Sequence, residues 1–448
     1  MTAHVTPSRA RTNQKSAGWI VLAVAVFLSL LVGEYRGPII GIAFAIASTG
    51  VVMVWTTSTP IPRFPKAGYW LVGILGVGLG ATVLANLRGE TVADIDLQRD
   101  LGISLSYILI IVVGYLFASS REPFRILMIA VIAAGMLIST VHLVKLTTVL
   151  SSGVTDLYLF RLEAGRGSIT QFTGLCACLL LRHDLADRGH RRFLAACAAL
   201  QATSMCLTLS RGLIILLIVL ALGMAALTFD WRGKLSADPV KMVIAAGSAI
   251  VTLIGCYIVI NLFLPAVHDF IDEFFITRVL NSSTEVAATN LQTRTQIADN
   301  YRAFELDQTL AQFDQQPLYA QMVGQGWGSV VRFGLETAST KSHFTRTEAS
   351  FLHNGYAYYL MKVGVVGVTL YAGFLAHCAY RAVNMHVWSN PGRDAMRRKV
   401  LLTLVVALVI GTITTGGLGY PATYLGLAVL LGACYGPLWS DEGLASHA

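Results

Sequence analysis

Apolar runs long enough to cross a bilayer alternate along this chain with short stretches of charged and turn-forming residues. A hydrocarbon core needs about 20 apolar residues per helical crossing, and runs of that kind predict twelve helices. Their approximate spans are 17–33, 39–55, 67–87, 101–118, 124–150, 168–182, 192–209, 212–229, 242–264, 351–378, 400–415 and 420–437. The sixth and eleventh are short for a full crossing, which a tilted or broken helix accommodates. The first has no convincing small-residue cleavage site after it and is read as an uncleaved helix. The expected organisation is a cytoplasmic tail at 1–16, helices 1–9 over 17–264 and an outer loop at 265–350. Helices 10–12 follow over 351–437, then a cytoplasmic tail at 438–448.

Composition excludes the other classes. The 448 residues are 55% hydrophobic and 13% charged, against about 25% charged in soluble domains. With a mean hydropathy of +0.63, neither a soluble globule nor a disordered or coiled-coil chain fits. The net charge of +8 changes meaning once it is distributed. With the N-terminus inside, the inner segments hold 19 of the 33 lysines and arginines, and the outer segments hold 12. The carboxylates split the other way, 8 inside and 17 outside. The positive-inside rule then puts both termini in the cytoplasm, and the basic excess sets topology rather than marking a nucleic-acid partner.

One outer loop, between Leu264 and Phe351, far exceeds ordinary connections. Val267, Phe270, Ile271, Phe274, Phe275 and Val279 recur at helical spacing, as in an amphipathic helix lying at the membrane surface. A second helical stretch is expected from about Leu291 to Phe313, stopped by Pro317. Gly324-Gln325-Gly326-Trp327-Gly328 lacks the lysine and serine of a phosphate loop and reads as a turn. All seven cysteines fall in predicted spans, where small apolar core residues are expected and no disulfide framework arises.

Candidate chemistry gathers at the outer ends of helices. Arg211, in the tight Ser210-Arg211-Gly212 turn, reads either as a snorkelling helix-end arginine or as a fixed cation. His353, in Leu352-His353-Asn354-Gly355-Tyr356, is either a structural histidine or an imidazole able to accept a proton from a hydroxyl. Tyr356, Tyr358 and Tyr359 read as an aromatic belt, with a sugar-stacking surface as the alternative. Arg161, Arg166, Arg278, Arg294, Arg302, Arg332, Lys341 and Arg346 are solvated arginines and lysines or candidates for one anionic group, since guanidinium forks suit phosphate. Arg294 stands near the start of the second loop helix, which itself favours an anion. His142, Lys145 and Lys362 are costly in lipid and should face protein or water. No metal-ligand motif stands out, so no metal and no cofactor are expected. A transporter of an anionic solute, gated by Lys145 or Lys362, is the rival from another class.

The order of these features carries a resemblance. A Ser-Arg-Gly turn, a long outer loop with an Arg-led helix, Pro317 and Gly-x-Gly, and His-Asn-x-Tyr continuing as Leu360-Met361-Lys362-Val363-Gly364-Val365-Val366-Gly367 follow one another over about Arg166 to Ala376. That arrangement resembles the O-antigen ligase and Wzy-type O-antigen polymerase superfamily of bacterial inner-membrane glycosyltransferases. The resemblance implies an all-α polytopic membrane protein, GT-C-like, with about twelve transmembrane helices and one large periplasmic loop between helices 9 and 10. It implies inverting, metal-independent transfer of a glycan from undecaprenyl diphosphate to an acceptor hydroxyl, in lipopolysaccharide or other surface polysaccharide biosynthesis. The acceptor would be lipid A-core for a ligase and another lipid-linked glycan for a polymerase, with membrane lipids around the enzyme. The family's periplasmic arginines map onto Arg211 and, with less specificity, Arg294, Arg166 and the neighbouring Arg161, as ligands of the diphosphate. The loop histidine maps onto His353.

Overall fold

The computed structural model describes residues 7–32, 64–89, 94–118, 120–151, 169–182, 184–185, 187–208, 210–226, 300–338, 345–349, 351–384, 391–419 and 424–436. Helices lie over ten of the twelve expected spans: α1 (Pro7–Val32), α2 (Lys66–Leu87), α3 (Asp94–Phe117), α4 (Arg121–Ser151), α5 (Ile169–Arg182), α6 (Arg188–Leu207), α7 (Arg211–Ala226), α10 (Gly355–Asn384), α11 (Pro391–Thr415) and α12 (Leu425–Tyr435). The expected spans 39–55 and 242–264 lie outside the described residues. Among the described residues, five helices are long and apolar enough to cross a membrane, and four shorter apolar helices accompany them. The chain is a polytopic membrane protein.

Local sequence explains where helices begin. Asp94 and Asp96 occupy the first turn of α3, where carboxylates are favoured by the helix dipole. Asp187 caps α6, accepting from His190 N at 3.0 Å and from its ring Nδ1 at 2.6 Å. The backbone bond, with the ring bond added, holds the Asp187 carboxyl below the usual carboxylate range.

Small residues set how closely the helices approach. A Cβ on Gly114 of α3 would overlap the backbone of Val429 and Ala433, and one on Gly432 of α12 would overlap Ile111. The two helices therefore touch backbone to backbone, the small-residue packing that replaces hydrophobic driving force in lipid. One cluster of buried side chains runs through the bundle, with Phe117, Phe124, Phe172, Tyr371 and Leu427 at its centre. The outward faces of α2 carry exposed Tyr69, Val72, Leu79 and Val83. Such a patch would be a liability in water and is ordinary against lipid.

The long loop adds α8 (Tyr301–Asp314), α9 (Leu318–Val323) and two strands, β1 (Val331–Ala338) and β2 (Thr345–Ala349). The expected amphipathic helix at 267–279, and the stretch 291–299 of the second loop helix, lie outside the described residues. The strands correct the all-helical expectation. They pair antiparallel, with an irregularity between Arg332 and Thr337. Val331 and Phe333 turn inward while Arg332 stays exposed, the period-2 alternation of a half-buried strand. Phe333 packs on Phe304 and Tyr301 of α8, with ring centroids 5.7 and 6.2 Å apart.

The glycine segment after α9 does more than turn. Gly364 interrupts α10 with φ 63°, ψ −166°. The carbonyls of Met361 and Lys362, which an unbroken helix would give to residues 365 and 366, instead accept Gln325 N and Gly326 N at 2.9 Å each. Gly324 (φ 80°) and Gly326 (φ 91°) adopt a backbone that side chains rarely allow, and a Cβ on either would overlap the main chain of α10 or α2. Trp327 is fully buried, with Nε1 donating to Leu75 O at 3.1 Å on α2, where Gly78 leaves it room. Leu75 lies about 18 Å below the end of α2 at 1.5 Å per residue. The loop is thus a wedge driven between α2 and α10. Irregular backbone at that depth is permitted because protein, not lipid, surrounds it.

Gly432→Leu is expected to force α3 and α12 apart and to cost about 1–3 kcal/mol or more, as overpacked cores do. Thermal unfolding of the purified chain in detergent checks this; an unchanged Tm would refute the backbone contact.

Candidate functional site

The beginning of α3, the beginning of α10 and the long loop meet at one end of the bundle. At their junction lies Asp100, fully buried in the second turn of α3. The expected span began one residue later, at 101, and so counted this carboxylate as loop. Asp100 Oδ2 accepts from Lys362 Nζ at 2.6 Å and from Gly328 N at 2.7 Å, and Oδ1 accepts from Tyr358 OH at 3.2 Å. Lys362 Nζ also donates to Ser329 O, so one lysine and one aspartate tie α3, α10 and the wedge together. Lys362 was expected to face protein or water, and it faces protein. Arg99 bonds Asp96 at 2.6 Å, stands 3.8 Å from Asp100, and lays its guanidinium over the Phe351 ring at 4.2 Å.

His353 sits two residues past Phe351, just before α10. Asn354 caps that helix, its Oδ1 accepting from Tyr356 N at 3.0 Å and Ala357 N at 3.1 Å. Helix α8 brings a buried carboxylate, Glu305, beneath the histidine. Glu305 Oε2 accepts His353 N at 2.6 Å and lies 3.2 Å from the ring Nδ1. The Tyr301 ring meets the imidazole edge-on, with centroids 5.9 Å apart at 90°. The histidine side chain is 40% exposed over a carboxylate that is 3% exposed. Arg302 follows Tyr301 on α8.

Tyr358 and Tyr359 form no belt, while Tyr356 is partly exposed. Tyr358 and Tyr359 are buried in an aromatic cluster with Tyr371, Tyr359 and Tyr371 having centroids 4.7 Å apart. A β-face of sugar-stacking rings is likewise not what these two present, because Trp327 and Tyr371 cover them. His142 also faces protein: its Nδ1 meets Ser204 Oγ at 2.9 Å, beside Gln171, whose Nε2 donates to the same oxygen at 2.7 Å. Lys145 is exposed. The described cysteines are free, and five of the six are buried.

Of the sequence-predicted site residues, His353 joins Glu305 as described, and Arg211 opens α7. Arg161, Arg166, Arg278, Arg294 and Lys341 lie outside the described residues, while Arg332 and Arg346 fall on β1 and β2. Glu305 and Asp100 were missed. Their sequence signal was an acid inside an apolar pattern: Glu305 between Phe304 and Leu306, and Asp100 against the apolar run of α3. Among the described residues, no three histidines, cysteines or carboxylates converge as a metal site.

Residues 196–372 match the family model described as O-Antigen ligase. Over that stretch the chain is similar to the O-antigen ligase family. No curated protein matches it. The matched stretch begins in α6 and ends in α10, taking in Arg211, α8, the wedge and His353. Asp100 lies outside it, so the family segment is anchored by a residue from the N-terminal helices.

Lys362→Met leaves a buried carboxylate without its cation, which costs about 3–5 kcal/mol when such a pair is broken on one side. Adding Asp100→Asn to it is expected to restore part of the loss. A double-mutant cycle on thermal unfolding in detergent reads the coupling, and strictly additive losses would refute the pair's role.

Proposed function

We propose that this protein is a glycosyltransferase moving a glycan from undecaprenyl diphosphate to an acceptor hydroxyl at the periplasmic face of the bacterial inner membrane. The observation that carries the reading is His353. An imidazole stands half-exposed at one end of the bundle, held from below by a buried carboxylate of the family's own loop.

In the proposed step the acceptor oxygen attacks the anomeric carbon, and a new C–O bond forms with inversion. The bond to the diphosphate breaks, and its electron pair stays on the departing phosphate oxygen. The hydroxyl proton passes to His353 Nε2. Guanidinium groups stabilise the departing charge without a metal. Arg211 is the first candidate, with Arg302 on α8 and the sequence candidates Arg161, Arg166 and Arg294 beside it. A ligase would use lipid A-core as acceptor, and a polymerase another lipid-linked glycan. The buried pairing of Lys362 with Asp100 speaks against Lys362 as the gating lysine of a transporter.

His353→Ala and Arg211→Ala are each expected to lower glycan transfer by about 10²–10⁴-fold, the range for a positioned acid–base or charge-stabilising group. Membrane abundance should stay normal. Complementation of a deletion strain, read by gel profiles of surface glycan, checks this. Glycan stranded on the lipid carrier marks a ligase, and single-repeat decoration marks a polymerase. Wild-type profiles from His353→Ala would overturn the reading.

A further inference from the structure

Glu305 makes two contacts with one residue. It accepts the main-chain N–H of His353 at 2.6 Å, and its oxygens lie 3.2 and 3.4 Å from the ring Nδ1. An ionised carboxylate only accepts hydrogen bonds, so the contact is attractive only when Nδ1 carries the hydrogen. A neutral imidazole in that tautomer has its basic lone pair on Nε2. The edge-on Tyr301 ring limits how the imidazole can turn.

The carboxylate is itself held in place. Gln312, two turns along α8, clamps β1, its Oε1 accepting Arg332 N at 3.0 Å and its Nε2 donating to Arg332 O at 2.6 Å. Phe304 packs beside Glu305 on Phe333 of the same strand. Helix α8 therefore cannot slide without breaking the loop's own packing.

We propose that Glu305 is the positioning residue of the transfer reaction, fixing His353 as the Nδ1–H tautomer with its Nε2 lone pair toward the acceptor hydroxyl. This rests on His353 being the base. Glu305 acts through the histidine. Anchoring the loop needs only an acceptor for His353 N, which a glutamine also supplies. In Glu305→Gln, the amide oxygen stays on that N–H and the NH2 turns to the ring. An NH2 donates, so it selects the opposite tautomer and removes the base from Nε2.

The test uses the full chain in nanodiscs. With ¹⁵N-labelled histidine, at an alkaline pH where the spectrum itself shows a neutral ring, the His353 signals are assigned by difference from His353→Gln. The wild type should show a protonated Nδ1, and Glu305→Gln a protonated Nε2. Glu305→Gln should lose about 10²-fold or more in kcat, as lost tautomer-fixing partners do, with KM unchanged. Glu305→Asp, still acceptor-only, should recover part of kcat. An inactive His353→Ala with wild-type kcat and tautomer in Glu305→Gln overturns the positioning role alone. Full activity in His353→Ala overturns the functional reading while leaving the tautomer measurement standing. If Glu305→Gln fails to fold, the wild-type spectrum decides, and an Nε2–H tautomer there refutes the proposal.

Discussion

The buried pair between Asp100 and Lys362 is the constraint on which the rest depends. Neither charge is tolerable alone at a site so fully buried, and the low local dielectric that makes their attraction strong makes any vacancy expensive. Each also spends its remaining hydrogen-bonding capacity on the loop: Asp100 on Gly328 N, Lys362 on Ser329 O. Docking of α3 on α10 and seating of the wedge are therefore one event. The broken turn of α10 at Gly364 adds to this, since two of its carbonyls find their partners in the loop rather than in the helix.

From that fixed point the geometry propagates upward. The wedge sets where α9 and α8 can lie, and the hairpin braces α8 through Phe333 and Gln312. Helix α8 then carries Glu305 to the N-terminal approach of α10, where Asn354 ends the extended segment and leaves His353 at the rim. His353 and Glu305 stand at the rim of a structure whose rigidity originates two turns deeper. Arg99, stacked on Phe351, joins the two levels from the side of α3.

Much of the bundle was legible because lipid imposes a length and a hydropathy that few other structures need. The position of His353 was legible too, since a histidine at the foot of a long loop is an unusual residue in an unusual place. What escaped has a physical cause in each case. Asp100 was assigned to a loop because hydropathy alone cannot see a partner 262 residues away. The tyrosines after His353 were read as a belt because an aromatic at a helix end has the same sequence signature whether it meets headgroups or other rings. The hairpin hid in a loop, though Val331, Phe333 and Leu335 alternate with polar or small neighbours. The wedge escaped because glycines signal a turn without saying what the turn is pressed against.

The sequence separation of the central pair has a consequence for how the protein is made. Asp100 leaves the ribosome 262 residues ahead of Lys362. Throughout that interval, α3 carries a carboxylate that lipid rejects, and Gly328 and Ser329 arrive before the lysine does. Docking of α3 on α10 through this pair can be completed only when α10 is synthesised. An early helix of the chain thus waits on a late one for the partner of its buried charge.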